Sequence, residues 1–214
     1  MKRVNIGCGS TPTPGWINFD NSLSVRLARH PLVVAGLSRL GFFAEGQQKL
    51  IFAARHGNIR WADAAKRIPL PDASVEVLYS SHMLEHLDRD SAKAFLSEVQ
   101  RVLAPNGIVR IVVPDLKKLL VEYHADGDAD AFIEHSLLTR PRPTKLFDKL
   151  KYLVVGDRHH QWMYDGESLT RLLVAAGFKE PRVLPGGSTQ IIDPGSLDLW
   201  ERVEVSVYVE AYKK

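Results

Sequence analysis

The stretch that decides the fold is residues 4–21, VNIGCGSTPTPGWINFDN. A short apolar strand, Val4 to Ile6, leads directly into Gly7 and Gly9, and a second strand from Gly15 ends on the carboxylate of Asp20. Glycines after a strand let a ligand approach the backbone. An acid that ends the next strand can accept hydrogen bonds from hydroxyl groups. The stretch therefore predicts the start of an α/β sheet with a ligand at the carboxyl ends of its strands.

Strand and helix patterns alternate along the rest of the chain. Further strands are predicted over residues 58–62, 74–80, 108–113, 182–184 and 203–212. Helices are predicted as two or three short amphipathic pieces within 22–56, then over 91–103, after Asp115, and over 167–176. We expect Ser91 or Asp90 to cap the second helical region, a turn at 105–107, and a last strand that is antiparallel with one wetter face. This order predicts a doubly wound α/β fold with a mostly parallel sheet and an antiparallel last strand. One domain is expected over 1–214, with irregular cap-like insertions at about 22–56 and 126–164.

Composition narrows the class of protein. The 214 residues are 45% hydrophobic and carry a formal net charge of +3, which is too small for a typical nucleic-acid-binding surface. The single cysteine, Cys8, excludes an intrachain disulfide and a cysteine-rich metal site, so we expect a reducing, cytoplasmic location. The sequence shows no signal-peptide pattern and no apolar run long enough to span a membrane.

The glycine stretch indicates a nucleoside rather than a dinucleotide. Gly7 and Gly9 fit the first two positions of a G-x-G-x-x-G fingerprint, but Pro12 occupies the third. Because only ten residues separate Gly9 from Asp20, the first crossover is predicted to be a loop with at most a turn of helix. Asp20 is placed to accept from ribose hydroxyls, and Asp63, at the end of the third strand, from an adenine amino group.

Several segments resemble the class I S-adenosylmethionine-dependent methyltransferases, in particular the small type-11-like group. They are VNIGCGS, GWINFD, ADAAKRIPLPDASVEVLYSSHMLEHL, EVQRVLAPNGIVRIVVPDL and HQWMYDGESLTRLLVAAGF. The resemblance implies a Rossmann-like methyltransferase fold with S-adenosylmethionine as cofactor. It implies that the methionyl part is held by Asn5, Gly7 and Gly9, the ribose by Asp20, and the adenine by Asp63 and Ala64. By the same resemblance the sulfonium side is faced by Ser80, Ser81 and His82.

Methyl transfer requires that the methyl donor and the acceptor be aligned. It requires a base only where the acceptor must lose a proton. His82 follows the fourth strand and is the first candidate base. His159 and His160, which precede Trp162 and Tyr164, are further candidates that could line an acceptor pocket. His86 lies between leucines and is interpreted as structural. No metal site is expected, because the histidines lack H-E-x-x-H spacing and no acidic cluster accompanies them.

Two segments allow a weaker hypothesis about the acceptor side. Six basic residues stand against two acidic ones over 140–158, which is either a solvated face or a lid for an anionic group. The apolar residues 32–43 form either core helices or a weak peripheral membrane contact.

These observations predict S-adenosylmethionine-dependent methyl transfer to a small-molecule, glycan or lipid-linked acceptor, at oxygen rather than nitrogen. The alternative is a catalytically silent cofactor-binding scaffold that assists a partner enzyme. A nicotinamide or nucleotide-sugar enzyme conflicts with Pro12. A nucleic-acid methyltransferase conflicts with the modest charge and with the absence of an aromatic-proline tetrapeptide after the fourth strand, which reads SSHM.

Overall fold

The computed structural model describes residues 1–139 and 159–214. The strands in these ranges are β1 (Lys2–Ile6), β2 (Ile17–Asp20), β3 (Ile59–Trp61), β4 (Val75–Ser81), β5 (Leu103–Pro114), β6 (Lys179–Leu184) and β7 (Ser206–Tyr212). The helices in these ranges are α1 (Leu23–Leu27), α2 (Pro31–Arg39), α3 (Glu45–His56), α4 (Arg89–Val102), α5 (Leu116–Asp126), α6 (Ala129–Ser136) and α7 (Gly166–Ala175). A short 3₁₀ turn, Leu84–His86, follows β4.

All seven strands form one sheet in the order β3-β2-β1-β4-β5-β7-β6. Strands β1 to β5 pair in parallel, whereas β7 is antiparallel to both β5 and β6. The predicted doubly wound, mostly parallel α/β fold is thereby confirmed. Because β1 to β5 run in the same direction, their carboxyl ends meet along one edge of the sheet, where ligands bind in folds of this kind.

The central strands form the core with α4 on one face. The side chains of Phe95, Leu96 and Val99 on α4 are fully buried, as are Val109 and Ile111 on β5. Complete burial of such a side chain contributes about 1.5–3 kcal/mol. The helix and the inner strands therefore give the carboxyl edge a rigid base.

A loop without helix forms the first crossover, as the two prolines predict. Asn5 Nδ2 donates to Thr13 Oγ1 (2.9 Å), and the Thr13 backbone N–H donates to Asn18 Oδ1 (2.8 Å). Asn18 Nδ2 in turn donates to the carbonyl of Thr13 (3.0 Å). Buried side-chain amides thus hold this loop, so it needs no helical backbone hydrogen bonds.

Three local predictions were wrong. Asp88, not Ser91 or Asp90, caps α4, because its carboxylate accepts from the Ser91 N–H at 2.7 Å. The turn at 105–107 is part of β5, where the register against β4 shifts in an irregularity of the strand. Strand β7 has no wetter face, since it lies between β5 and β6 and its residues are buried up to Ala211.

The two predicted insertions differ in how far the structure describes them. Residues 22–56 contain α1, α2 and α3, and α3 packs through Leu50 beside Val25 and Cys8. The second insertion contains α6, and the basic segment 140–158 lies outside the described residues. Within the described ranges, no helix has the length and hydropathy that a membrane crossing requires.

Candidate functional site

The carboxyl edge of the sheet collects most of the residues that the sequence analysis selected. Ile6 lies opposite Phe19 on one side and Ser80 on the other, so the loops after these residues are neighbours. Gly7 leaves β1, Asp20 ends β2 and His82 follows β4. Asp63 lies two residues beyond β3.

The glycine loop is tied directly to Asp20. Gly7 and Gly9 both have positive φ angles, +71° and +53°, which favour glycine. The Gly9 N–H donates to Asp20 Oδ2 (3.0 Å), and the Ser22 N–H donates to Asp20 Oδ1 (2.8 Å). The carboxylate of Asp20 therefore fixes the glycine loop relative to the segment that follows β2.

The two glycines have different surroundings. A Cβ atom on Gly7 would lie 2.6 Å from Cγ and 2.7 Å from Cβ of Met83, whereas a Cβ on Gly9 would meet no atom within 4 Å. Gly7 thus lets the loop after β4 pack against the loop after β1. Gly9 faces open space beside Asp20, a shape that fits a bound nucleoside.

Several polar side chains at this edge, Asn5 and Ser80 among them, have buried atoms without a hydrogen-bond partner among the described residues. Among the described residues, Asn5 Oδ1 and Ser80 Oγ make no hydrogen bond, although both residues are almost fully buried. Buried polar atoms are usually paired. These atoms are therefore consistent with a polar ligand next to β1 and β4.

The predicted adenine-side residues lie beyond β3. The Asp63 carboxylate is 3.2 Å from Lys66 Nζ, an exposed partner, and Ala64 is buried in the main core. The Ala62 N–H donates to the carbonyl of Asp20 (3.2 Å), which connects this segment to the end of β2.

Cys8, between the two glycines, is not suited to nucleophilic chemistry. Its thiol is buried, and burial, reinforced by the charge of Asp20, raises the pKa of Cys8 well above its usual range. A thiol in this state stays protonated at neutral pH.

His82 lies at the end of β4 in a constrained position. Its φ angle is +48°, an uncommon value for a residue with a Cβ. Its Nε2 is 2.9 Å from Ser206 Oγ, and its Nδ1 is 3.3 Å from Glu85 Oε1. The side chains of Glu85 and Ser206 thus hold the imidazole ring of His82 in place at the end of β4.

The fold brings His86 and His160 together beside the same carboxylate. The two rings are edge to face with centroids 5.1 Å apart, and His160 Nε2 is 4.0 Å from Glu85 Oε1. Burial lowers the pKa of His160, and the opposing charge of Glu85 only partly offsets this effect. His159 contributes its backbone carbonyl, which is 3.1 Å from His86 Nδ1.

The aromatic residues after these histidines have separate environments. Tyr164 is 1% exposed and belongs to the main core, so it does not line an acceptor pocket. Trp162 is 44% exposed, and the Arg89 guanidinium lies 4.7 Å from its ring centroid.

Comparison with known proteins finds similarity to methyltransferases. Residues 26–111 match a family model described as "Methyltransferase domain". Over 61 residues the chain is 43% identical to a probable S-adenosylmethionine-dependent methyltransferase of Mycolicibacterium smegmatis. That alignment spans 28% of this chain and 21% of the relative. The resemblance to class I methyltransferases is confirmed.

Solved structures of S-adenosylmethionine-dependent methyltransferases share the fold. One is a methyltransferase of Thermotoga maritima described as a possible histamine N-methyltransferase, with TM-score 0.52, 17% identity, and coverage of 100% of this chain and 82% of that one. Another is an S-adenosylmethionine-dependent methyltransferase of Mesorhizobium loti, with TM-score 0.53, 16% identity, and coverage of 99% and 90%. At these identities the likeness shows the fold alone.

The methyltransferase match implies S-adenosylmethionine as cofactor, and the residues at the carboxyl edge fit it. The matched span begins at Arg26, after the glycine loop and Asp20. Evidence for those residues therefore comes from their geometry: the positive φ angles, the open space at Gly9 and the hydrogen bonds to Asp20.

Sequence analysis missed a basic cleft on the β2–β3 side of this methyltransferase fold. It has a volume of about 520 Å³. Its lining residues are Phe19, Arg26, Arg29, His30, Arg60, Trp61 and Pro69. Arg26 lies on α1, Arg29 just after it and Arg60 on β3, so only the folded chain shows that the three arginines share a cleft. A larger groove of about 730 Å³ lies between α4 and α7, and the residues of the glycine loop do not line it.

Proposed function

We propose that this chain transfers a methyl group from S-adenosylmethionine to a hydroxyl oxygen of a small-molecule, glycan or lipid-linked acceptor. The observation that carries the proposal is the glycine loop, which is tied to Asp20 and has open space at Gly9. When bound there, the cofactor supplies an activated methyl group. The chain then has to bind, orient and exclude water.

The cofactor roles follow the strand order. Asn5, Gly7 and Gly9 would hold the methionyl part, and Asp20 the ribose hydroxyls. Asp63 and Ala64 would flank the adenine, and Ser80 would face the sulfonium side.

Transfer to oxygen is supported by the histidines around Glu85. A hydroxyl is a weak nucleophile, so its proton has to leave during transfer. His82, paired with Glu85, is the preferred acceptor of that proton, and His159 and His160 are the alternatives. As the proton moves to the imidazole, the acceptor oxygen forms the bond to the methyl carbon, and the C–S bond breaks to give S-adenosylhomocysteine.

A weak peripheral membrane contact also belongs to this proposal. On α2 and just after it, Leu32 is 87% and Leu40 is 66% exposed, next to the basic residues Arg29 and Arg39. Exposed apolar residues flanked by cations suit an anionic lipid surface. A lipid-linked acceptor would be presented at such a surface.

Titration calorimetry with S-adenosylhomocysteine tests the cofactor site, with NAD and UDP-glucose as comparison ligands. We expect S-adenosylhomocysteine alone to bind, and Asp20→Ala to abolish that binding. Asp90→Asn is the matched control, because Asp90 is an exposed carboxylate that pairs only with Lys93 among the described residues. Absence of binding to the folded wild-type chain would refute the proposal.

Turnover distinguishes the enzyme from the scaffold alternative. With an acceptor identified by screening, His82→Ala should bind S-adenosylhomocysteine normally and react slowly. An unchanged rate for His82→Ala would indicate that His159 or His160 is the base. Normal cofactor binding without turnover on any acceptor would favour the catalytically silent scaffold.

A further inference from the structure

Three potential metal ligands meet beside the carboxyl edge of the sheet. Glu85 and His86 lie in the 3₁₀ turn after β4, and His160 comes from the segment before α7. One ligand atom from each lies within 4.8 Å of the other two. We call Glu85, His86 and His160 the histidine–glutamate cluster.

Hydrogen bonds to backbone carbonyls fix the tautomers of the two histidines. His160 Nδ1 lies 2.7 Å from the carbonyl oxygen of Ser136, and His86 Nδ1 lies 3.1 Å from that of His159. A carbonyl oxygen only accepts, so each Nδ1 must carry the proton. Nε2 of each neutral ring then has a free lone pair. Metal-binding histidines commonly have this arrangement, in which a carbonyl orients the ring.

The carboxylate of the cluster lacks a hydrogen-bond donor. Glu85 is fully buried, and neither Oε atom makes a hydrogen bond to a described residue. The contact with His82 Nδ1 at 3.3 Å is close enough for electrostatic attraction but lacks hydrogen-bond geometry. An ionised carboxylate in this environment is costly unless a cation accompanies it.

Backbone contacts hold the cluster together. The N–H groups of Gln161 and Trp162 donate to the Glu85 carbonyl at 2.7 and 3.2 Å, and the His160 N–H donates to the Leu137 carbonyl at 3.0 Å. The ligands are thus positioned by main-chain bonds between three segments. A preorganised site of this kind loses less entropy when it binds an ion.

We propose that Glu85, His86 and His160 bind a divalent transition-metal ion with the ligand preferences of Zn²⁺. Two imidazoles and one carboxylate suit zinc and its neighbours better than Mg²⁺, which prefers oxygen ligands. At the usual metal–ligand bond lengths, the ligand atoms of a tetrahedral site lie about 3.4 Å apart. The 4.0 Å between His160 Nε2 and Glu85 Oε1 would have to close by about 0.6 Å, a small side-chain adjustment at bond lengths of about 2.1 Å.

The metal site would leave a coordination position open. Three protein ligands with a free fourth position are typical of catalytic zinc sites. If the proposed function holds, the acceptor oxygen would occupy this position, which would select acceptors whose hydroxyl can coordinate a metal. With both nitrogens of His160 then engaged, His82 or His159 would accept the proton of that hydroxyl. Binding of the ion itself does not depend on that function.

Cobalt titration of the metal-free full chain tests this inference. After treatment with a chelator, Co²⁺ should bind with a stoichiometry of about one per chain and give visible d–d absorption. Zn²⁺ should displace it. Glu85→Gln and His160→Ala should each weaken binding by more than the roughly 10- to 100-fold seen when an outer-shell partner is removed. If Glu85→Gln does not fold, His86→Ala replaces it.

The matched control is His135→Ala, which should bind Co²⁺ as the wild type does. His135 also lies near a glutamate, with its Nδ1 3.6 Å from Glu122 Oε2, but this pair is exposed on α5 and α6. Absence of Co²⁺ binding to the folded chain, or binding unchanged by His160→Ala, would overturn the inference and support the metal-free site that the sequence predicts. The calorimetric test with S-adenosylhomocysteine is separate, so failure of the metal site and failure of the proposed function are distinguishable.

Discussion

Gly7→Ala should destabilise the chain more than Gly9→Ala, because the two glycines differ in what surrounds them. Both have positive φ angles, so an alanine at either position incurs about the same backbone cost, roughly 1–2 kcal/mol. Only at Gly7 would the new Cβ overlap with Met83, at 2.6 and 2.7 Å. The difference in the free energy of unfolding between the two variants therefore measures the contact between the loop after β1 and the loop after β4.

The overlap at Gly7 cannot be relieved by a rotamer change alone. One of the two contacts is with Met83 Cβ, which is fixed by the backbone. Overpacking of this kind typically costs about 1–3 kcal/mol. We therefore expect Gly7→Ala to lower the free energy of unfolding by about 2–5 kcal/mol and Gly9→Ala by about 1–2 kcal/mol. An alanine has a smaller conformational entropy than a glycine in the unfolded chain. This effect is the same in both variants, so it cancels in the difference between their free energies of unfolding.

Urea denaturation of the two variants, followed by circular dichroism, gives the comparison. Met83→Gly removes both overlapping atoms and should restore part of the stability of Gly7→Ala, whereas Met83→Ala removes only Cγ and should restore less. Gly9→Ala should instead lose affinity for S-adenosylhomocysteine, since its methyl group fills the open space. Equal unfolding free energies for Gly7→Ala and Gly9→Ala would refute the reasoning.

Two further predictions concern ion pairs. Arg110→Met should lower the free energy of unfolding by about 3–5 kcal/mol, since Arg110 Nη1 lies 2.7 Å from Glu210 Oε1 and both side chains are fully buried. The double variant Arg110→Met/Glu210→Gln should recover part of this loss in urea denaturation, because a neutral amide needs no cation; no recovery would contradict the pairing. Hydrogen bonding from Arg101 lowers the pKa of Glu98 in the folded chain. The stabilisation that this ion pair gives the fold is therefore present above the pKa of an unfolded glutamate, about 4.3. It is lost as the pH falls through the lower pKa of the folded chain. The difference in unfolding free energy between wild type and Glu98→Gln should therefore shrink below about pH 4, and a difference that does not change with pH would count against this ion pair.

The parts of the fold that sequence could predict depend on local patterns. The nearly all-apolar strand from Ile108 to Val113 indicated burial on both faces, and it lies between β4 and β7. In the folded chain, Gly177 ends the helix that the pattern over 167–176 predicts. It does so with φ +88° and the N–H of Phe178 bonded to the carbonyl of Leu173 at 3.0 Å. Each of these signals is contained within a few residues of the element that it describes.

The errors arise where a polar residue has a partner far along the chain. Alternation over β7 suggested a wetter face because Glu210 and Ser206 look like surface residues. In the folded chain, Glu210 pairs with Arg110 on β5, and its Oε1 accepts from Thr189 Oγ1 at 2.6 Å. Pattern and hydropathy cannot distinguish an exposed glutamate from one that is buried with a cation a hundred positions away.

The candidate site shows the same difference between residues that are close in sequence and residues that are far apart in it. The glycine loop and Asp20 lie within one short stretch, so their connection was predictable. Glu85 and His160 are far apart in sequence, and the leucines around Glu85 resemble ordinary core. Their proximity depends on the Glu85 carbonyl, which accepts the N–H groups of Gln161 and Trp162. That backbone connection sets the position of His160 relative to β4 independently of side-chain chemistry. Substitution of any one cluster side chain should therefore alter ion binding while the main-chain arrangement persists.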